Sequence, residues 1–176
     1  MEPIKLGEAL DAVVAALTAK FPVVHSVVAE DESHTDLRLP AIIVQISEIE
    51  PTPDADQHEG QFPCNVHFEA RIILGHRTPK VRRLICEGSA GVAAFVHNNR
   101  MGVPWGAGVV LACEPDEFAP QVDKFDVWRV EWVHAANVGP FLALPDEFQP
   151  TQVFLSRAPE IGVPHESDYV EVSKNE

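Results

Sequence analysis

The sequence is short of positive charge. Its 13 lysines and arginines face 27 aspartates and glutamates, for a formal charge of -14. Such a surface disfavours non-specific binding to nucleic acid or to an anionic membrane, while leaving room for a local basic patch. No apolar run reaches the length needed to span a bilayer, and no membrane partner is expected. The opening residues, MEPIKLGEAL, hold no charged region followed by an apolar one, so no secretion signal is expected there. The three cysteines, Cys64, Cys86 and Cys113, each have apolar neighbours in sequence. An odd count argues against a disulfide framework, and buried free thiols in a reducing compartment are the expectation.

The signatures of common chemistries are also missing. There is no G-x-x-x-x-G-K-[ST] and no strand–G-x-G-x-x-G–helix unit for phosphates. There is no G-x-S-x-G elbow, and the one glycine-flanked serine, Ser89, falls inside a predicted helix. No His or Cys spacing is that of a structural zinc site. His58, Cys64 and His67 are near in sequence, but Cys64 and His67 have opposite parity on one strand and point to opposite faces. No catalytic residue, metal or cofactor is assigned.

What the chain does contain is strong alternation. In residues 61–75, QFPCNVHFEARIILG, one parity carries Phe62, Cys64, Val66, Phe68, Ala70, Ile72 and Leu74, and the other Asn65, His67, Glu69 and Arg71. This is the pattern of a long strand with one face on a core and one in water or against a partner. Residues 125–134, FDVWRVEWVH, repeat it, with Trp128, Val130 and Trp132 inward and Arg129 and Glu131 outward. Faces that mix both charge signs suit a protein that meets other proteins.

Taken in order, residues 4–21 read as an amphipathic helix ended by Pro22, 23–29 as a short strand, and 41–50 as a β-branched strand. Residues 51–60, PTPDADQHEG, form a solvated acidic loop containing Asp54, Asp56 and Glu59. Thr78 and Pro79 read as cap and first position of a helix over 80–97, with Val81, Leu84, Ile85, Val92, Phe95 and Val96 inward. Gly88, Ser89, Ala90 and Gly91 weaken that helix unless they permit a close approach to the sheet or to a neighbouring subunit. A loop, MGVPWGAG, leads to a strand over 108–118 and then to the Trp-containing strand. The fold class is α+β: a mixed, mainly antiparallel sheet of about four to five strands with two helices packed on it. The domain covers 1–139, and 140–176, rich in proline with apolar clusters around Phe141 and Phe154, is an extended C-terminal arm.

Five of the 13 basic residues, Arg77, Lys80, Arg82, Arg83 and Arg100, crowd the second helix. The plainer reading is a solvated face paired with nearby acids. The other is a positive patch facing an acidic partner or DNA passing close by. Positive charge suits a helix start poorly, which favours an external anion.

The order of elements, with the strands LPAIIVQISEIEP, FEARIILG and VWRVEWVHAANVG, resembles the tail terminator (tail completion) proteins of long-tailed bacteriophages over about residues 4–139. The resemblance lies in architecture and strand texture, and brings no catalytic residues. It implies a virion protein, assembled in the host cytoplasm, that forms a homohexameric ring at the head-proximal end of the tail tube. Such a ring stops tube polymerisation and joins tail to neck. Its partners would be other copies of itself, the tail tube protein and a neck or head-completion protein, with DNA passing through the lumen without sequence-specific binding. Asp54, Asp56, Glu59, the five basic residues, Phe141 and Phe154 are then the candidate contact residues. Two other classes stay open at this point. One is another neck, head-completion or minor tail protein. The other is a small intracellular enzyme with a pocket lined by His25, His67 or His134.

Overall fold

The computed structural model describes residues 4–30, 37–56, 60–116, 125–139, 154–157, 159 and 161–171. The chain divides into two compact units, Met1–Phe141 and Leu142–Glu176. In the first, α1 (Leu6–Lys20) buries Ala9, Val13 and Leu17, spaced four apart on one stripe. The sheet is built from β1 (Ser26–Ala29), β2 (Ala41–Pro51), β3 (Phe62–Gly75), β4 (Val109–Pro115) and β5 (Phe125–Val138), with α2 (Val81–Val96) between β3 and β4. Its order is β1-β2-β3-β5-β4, with β1 parallel to β2 and the other pairs antiparallel. The fold is therefore α+β with a mixed, mostly antiparallel sheet.

The alternation read in β3 sets the architecture. Cys64, Val66, Phe68, Ala70, Ile72 and Leu74 are all buried, together with Ile42 and Val44 of β2 and Val130 and Trp132 of β5. Both helices pack on that one face, in a single core with these residues. Each large apolar side chain buried there contributes about 1.5–3 kcal/mol. Phe68 sits at the centre, stacked on Trp132 and edge-on to Trp105.

Several expectations are corrected. Phe62 is 46% exposed, because it begins β3, beyond the reach of the helices. Thr78 and Pro79 do not cap α2. They belong to a turn closed by Thr78 N–H on the Gly75 carbonyl and Val81 N–H on the Thr78 carbonyl. Lys80 is the residue before the helix, in a left-handed conformation (φ 57°) and without a side-chain cap. Leu84 is 45% exposed. A Cβ at Gly91 would meet the Phe21 ring at an ordinary 3.7 Å and one at Gly88 would meet nothing within 4 Å, so neither glycine marks a close approach to the sheet. Cys64 is buried, but Cys86 and Cys113 are exposed, on α2 and on the edge strand β4. Burial pushes the Cys64 thiol up; for Cys113 burial acts first, then the neighbouring Cys86 and Glu114.

The acidic loop is shorter than its sequence span. β2 runs to Pro51 and a 3-10 turn covers Pro53–Ala55. In the second unit the described residues include a ladder of β6 (Phe154–Leu155) with β7 (Val170–Glu171) and a 3-10 helix, Val163–Asp168. Gly162 N–H donates to the Tyr169 hydroxyl within it.

Candidate interaction surface

The helices leave the second face of the sheet to its polar parity, and the register turns that parity into a charge lattice. Glu69 on β3 stands opposite Glu131 on β5, and Arg71 stands opposite Arg129 one outward-facing position further along β3. Like charges directly across a ladder destabilise it. Here each is neutralised by its diagonal neighbours. Glu69, only 7% exposed, lies 2.9 Å from Arg71 and 3.6 Å from Arg129, and accepts a hydrogen bond from Gln45 Nε2 at 3.1 Å. Arg71 also reaches Glu30 at 2.9 Å and Asp116 at 3.4 Å. Arg129 donates to Glu114 on β4, and that bond raises the pKa of the guanidinium.

Further along the same face, His67 sits between two carboxylates, Nε2 3.5 Å from Glu50 and Nδ1 3.7 Å from Glu131. Asn65 donates to Glu50 at 3.0 Å, and with His67 it holds that carboxyl below the usual range. Counting the residues that face or pair across this surface, Glu30, Glu48, Glu50, Glu69, Glu114, Asp116 and Glu131 outnumber Arg71 and Arg129. The face is acidic and strongly cross-linked.

No family model matches this chain, and no curated protein matches it.

The basic residues named from the sequence do not form one patch. Arg77, Lys80, Arg82 and Arg83 are all exposed around the start of α2, beside the end of β3. Arg83 alone of these four is paired among the described residues, donating to Glu87 at 2.9 Å, which raises its already high pKa. Arg100 lies beyond the other end of this 16-residue helix, about 24 Å away by helical rise. Arg38, not singled out in the sequence, joins the first group: its neighbour Leu39 lies against Gly75, at the end of β3 from which the turn into α2 departs. Nothing in its sequence position gives this away, since the pairing of β2 with β3 brings it there.

Asp54, on the Pro53–Ala55 turn, and Asp56, just after it, are exposed at the end of the sheet opposite the α2 start. Phe154 is half exposed on β6 in the second unit. Glu59 and Phe141 lie outside the described residues. The three histidines considered for an enzyme site are dispersed: His25 Nδ1 is at the Leu39 carbonyl, His67 is on the charged face, and His134 is in the core. Among the described residues there is no cluster of metal-ligating side chains, and no helix is long and apolar enough to cross a membrane.

Arg100 instead lines a cleft of about 450 Å³ with Thr52, Gln61, Trp105 and Asn137. Its wall is the aromatic group that the sequence pattern missed. Trp105 falls in a loop rich in glycine and proline, where no periodicity signals burial, yet it is 3% exposed.

Proposed function

We propose that this chain is a structural subunit that closes into a ring at the head-proximal end of a phage tail tube, ending tube growth and joining tail to neck. The observation that carries the reading is the one-sided sheet. Both helices cover one face, and the other presents an acid-rich lattice cross-linked over four strands rather than a concave site with free catalytic groups. A rigid, acidic sheet face turned toward a lumen keeps a polyanion such as DNA from adhering as it passes. Contacts that close on themselves then need two different lateral surfaces on each copy. The cations Arg77, Lys80 and Arg82, which have no ion-pair partner among the described residues, and the acids around Asp54 lie at opposite ends of the sheet, which suits unlike neighbours above and below such a ring.

The test is assembly in the presence of the tube protein. Produced together with it, this chain limits tube length, and electron microscopy finds a ring-shaped density at one tube end. Tubes of unlimited length beside unattached protein count against the proposal. A monomer in the absence of tube does not, because ring closure can require the tube as template.

A further inference from the structure

We propose that the cleft beside Arg100 binds the carboxylate of an acidic residue in an extended segment of a partner protein, with that residue's apolar neighbour seated against the exposed Ala55 and Pro104. The arginine is held with unusual care. It is flanked by Asn98 (φ 56°) and Met101 (φ 51°), both left-handed non-glycine residues. Such conformations cost about 1–3 kcal/mol each and persist where the surroundings over-determine them. The surroundings do so here: the Arg100 carbonyl accepts from Val103 N–H at 3.0 Å and from the Trp105 indole N–H at 2.8 Å. Met101 N–H donates to Asn99 Oδ1, whose Nδ2 donates to the Phe95 carbonyl. Asn98 and Asn99 are further tied to Gly108.

All of this fixes the backbone, and none of it occupies the side chain. The exposed Arg100 guanidinium has no hydrogen bond or ion pair among the described residues, in a chain with twice as many acids as bases. Lys5, Arg71, Arg83 and Arg129 are all paired. Around it the cleft is lined by Gln61 and Thr52, over a floor that includes the exposed Ala55 and Pro104. Gln61 spends one N–H on the Gly139 carbonyl and keeps another.

A guanidinium binds a carboxylate in a two-pronged geometry, and a flanking amide such as that of Gln61 can fill one of the acceptor's remaining sites. A single positive charge compensates one negative charge, which matches a carboxylate better than a doubly charged phosphate. The apolar floor adds contact area that a small hydrated anion cannot use. Exposed Asp54, on the turn whose Ala55 lines the cleft, repels free anions, so the acidic group must be brought in by its neighbours. The owner of the segment rests on the assembly reading above; the binding chemistry does not.

The experiment is an NMR titration of the full isotope-labelled chain, following the Trp105 indole N–H and the Arg100 Nε–H. The probes are N-acetyl-Leu-Glu-Leu-amide, the same peptide with Gln for Glu, and inorganic phosphate. The Glu peptide is expected to shift both signals saturably below about 10 mM, and the Gln peptide to bind about tenfold more weakly. Arg100→Gln removes the response to the Glu peptide with an unchanged melting temperature, and Arg100→Lys retains part of it. The proposal is overturned if neither signal moves saturably, if the Gln peptide binds as well, or if binding survives Arg100→Gln. It is also overturned if phosphate saturates the same signals at lower concentration, which makes this an inorganic anion site. None of these outcomes bears on tube termination.

Discussion

The indole of Trp105 lies flat against the imidazole of His134, with ring centroids 4.2 Å apart and planes 11° from parallel. His134 is fully buried, yet both its nitrogens are satisfied. Nδ1–H donates to the Gly106 carbonyl at 2.8 Å, and Nε2 accepts from the Trp132 indole N–H at 3.1 Å. That pattern requires the neutral ring. Burial lowers the pKa from 6.5, only partly offset by the bond to Gly106.

A pH dependence follows. A base whose folded pKa is depressed contributes stability that is fully present above its unfolded value and is lost as pH falls through the folded one. Stability should therefore decline below about pH 6.5. His134→Gln, which does not titrate, should cost about 2 kcal/mol at pH 7.5 through imperfect replacement of the two bonds. Its deficit relative to the parent should narrow toward pH 5. Urea denaturation of both proteins across that range reads the difference, and a constant gap would remove His134 from the account of acid sensitivity.

Glu69 is the common partner of two arginines that face each other across the ladder. Glu69→Ala leaves Arg71 and Arg129 opposed. Because both guanidiniums are a third exposed, water absorbs part of the penalty, and the expected loss is about 2–3 kcal/mol rather than the full cost of breaking a buried pair. Chemical denaturation measures it. Glu131→Ala, removing the more exposed acid opposite Glu69, 3.7 Å from His67, should cost less.

Neighbouring residues of α2 and one of the following loop should respond in opposite directions. A Cβ at Gly88 meets nothing within 4 Å, so Gly88→Ala should stabilise by about 0.5–1 kcal/mol through helix propensity. Ser89 is fully buried and its hydroxyl has no hydrogen-bond partner among the described residues. Ser89→Ala should also stabilise, by about 1 kcal/mol. A Cβ at Gly108 runs into the Val96 carbonyl oxygen and crowds His134 at 3.1 Å. Gly108→Ala should destabilise by about 1–3 kcal/mol. Thermal melts rank the three.

The cations at the α2 start can be reversed without loss of the fold. Arg77, Lys80 and Arg82 are exposed and have no ion-pair partner among the described residues. The triple change to Glu should alter stability by no more than about 0.5 kcal/mol, while tail assembly with the partner proteins should fail. Assembly at the parental level would leave these residues as a solvated helix face.

The core and the sheet were largely legible in the sequence because parity is a local signal. Phe68, Trp132 and Arg129 each face the side that alternation assigns. What was not legible depends on contacts between distant segments. The αL residue Lys80 replaces the Thr78 cap because the turn after β3 uses the Thr78 backbone. Leu84 looks inward by periodicity, but the buried stripe of α2 is centred on Ile85, Ser89, Val92 and Val96. Arg100 sits near Arg77 in composition, and a helix separates them in space. Trp105 and His134 come together only because Gly106 bonds to β5 through Ala135.

The most direct test of the proposed ring-forming role is electron microscopy of phage particles assembled without this protein. Overlong or frayed tails, detached from filled heads, are the expected result. Tails of normal length joined normally to heads would contradict it.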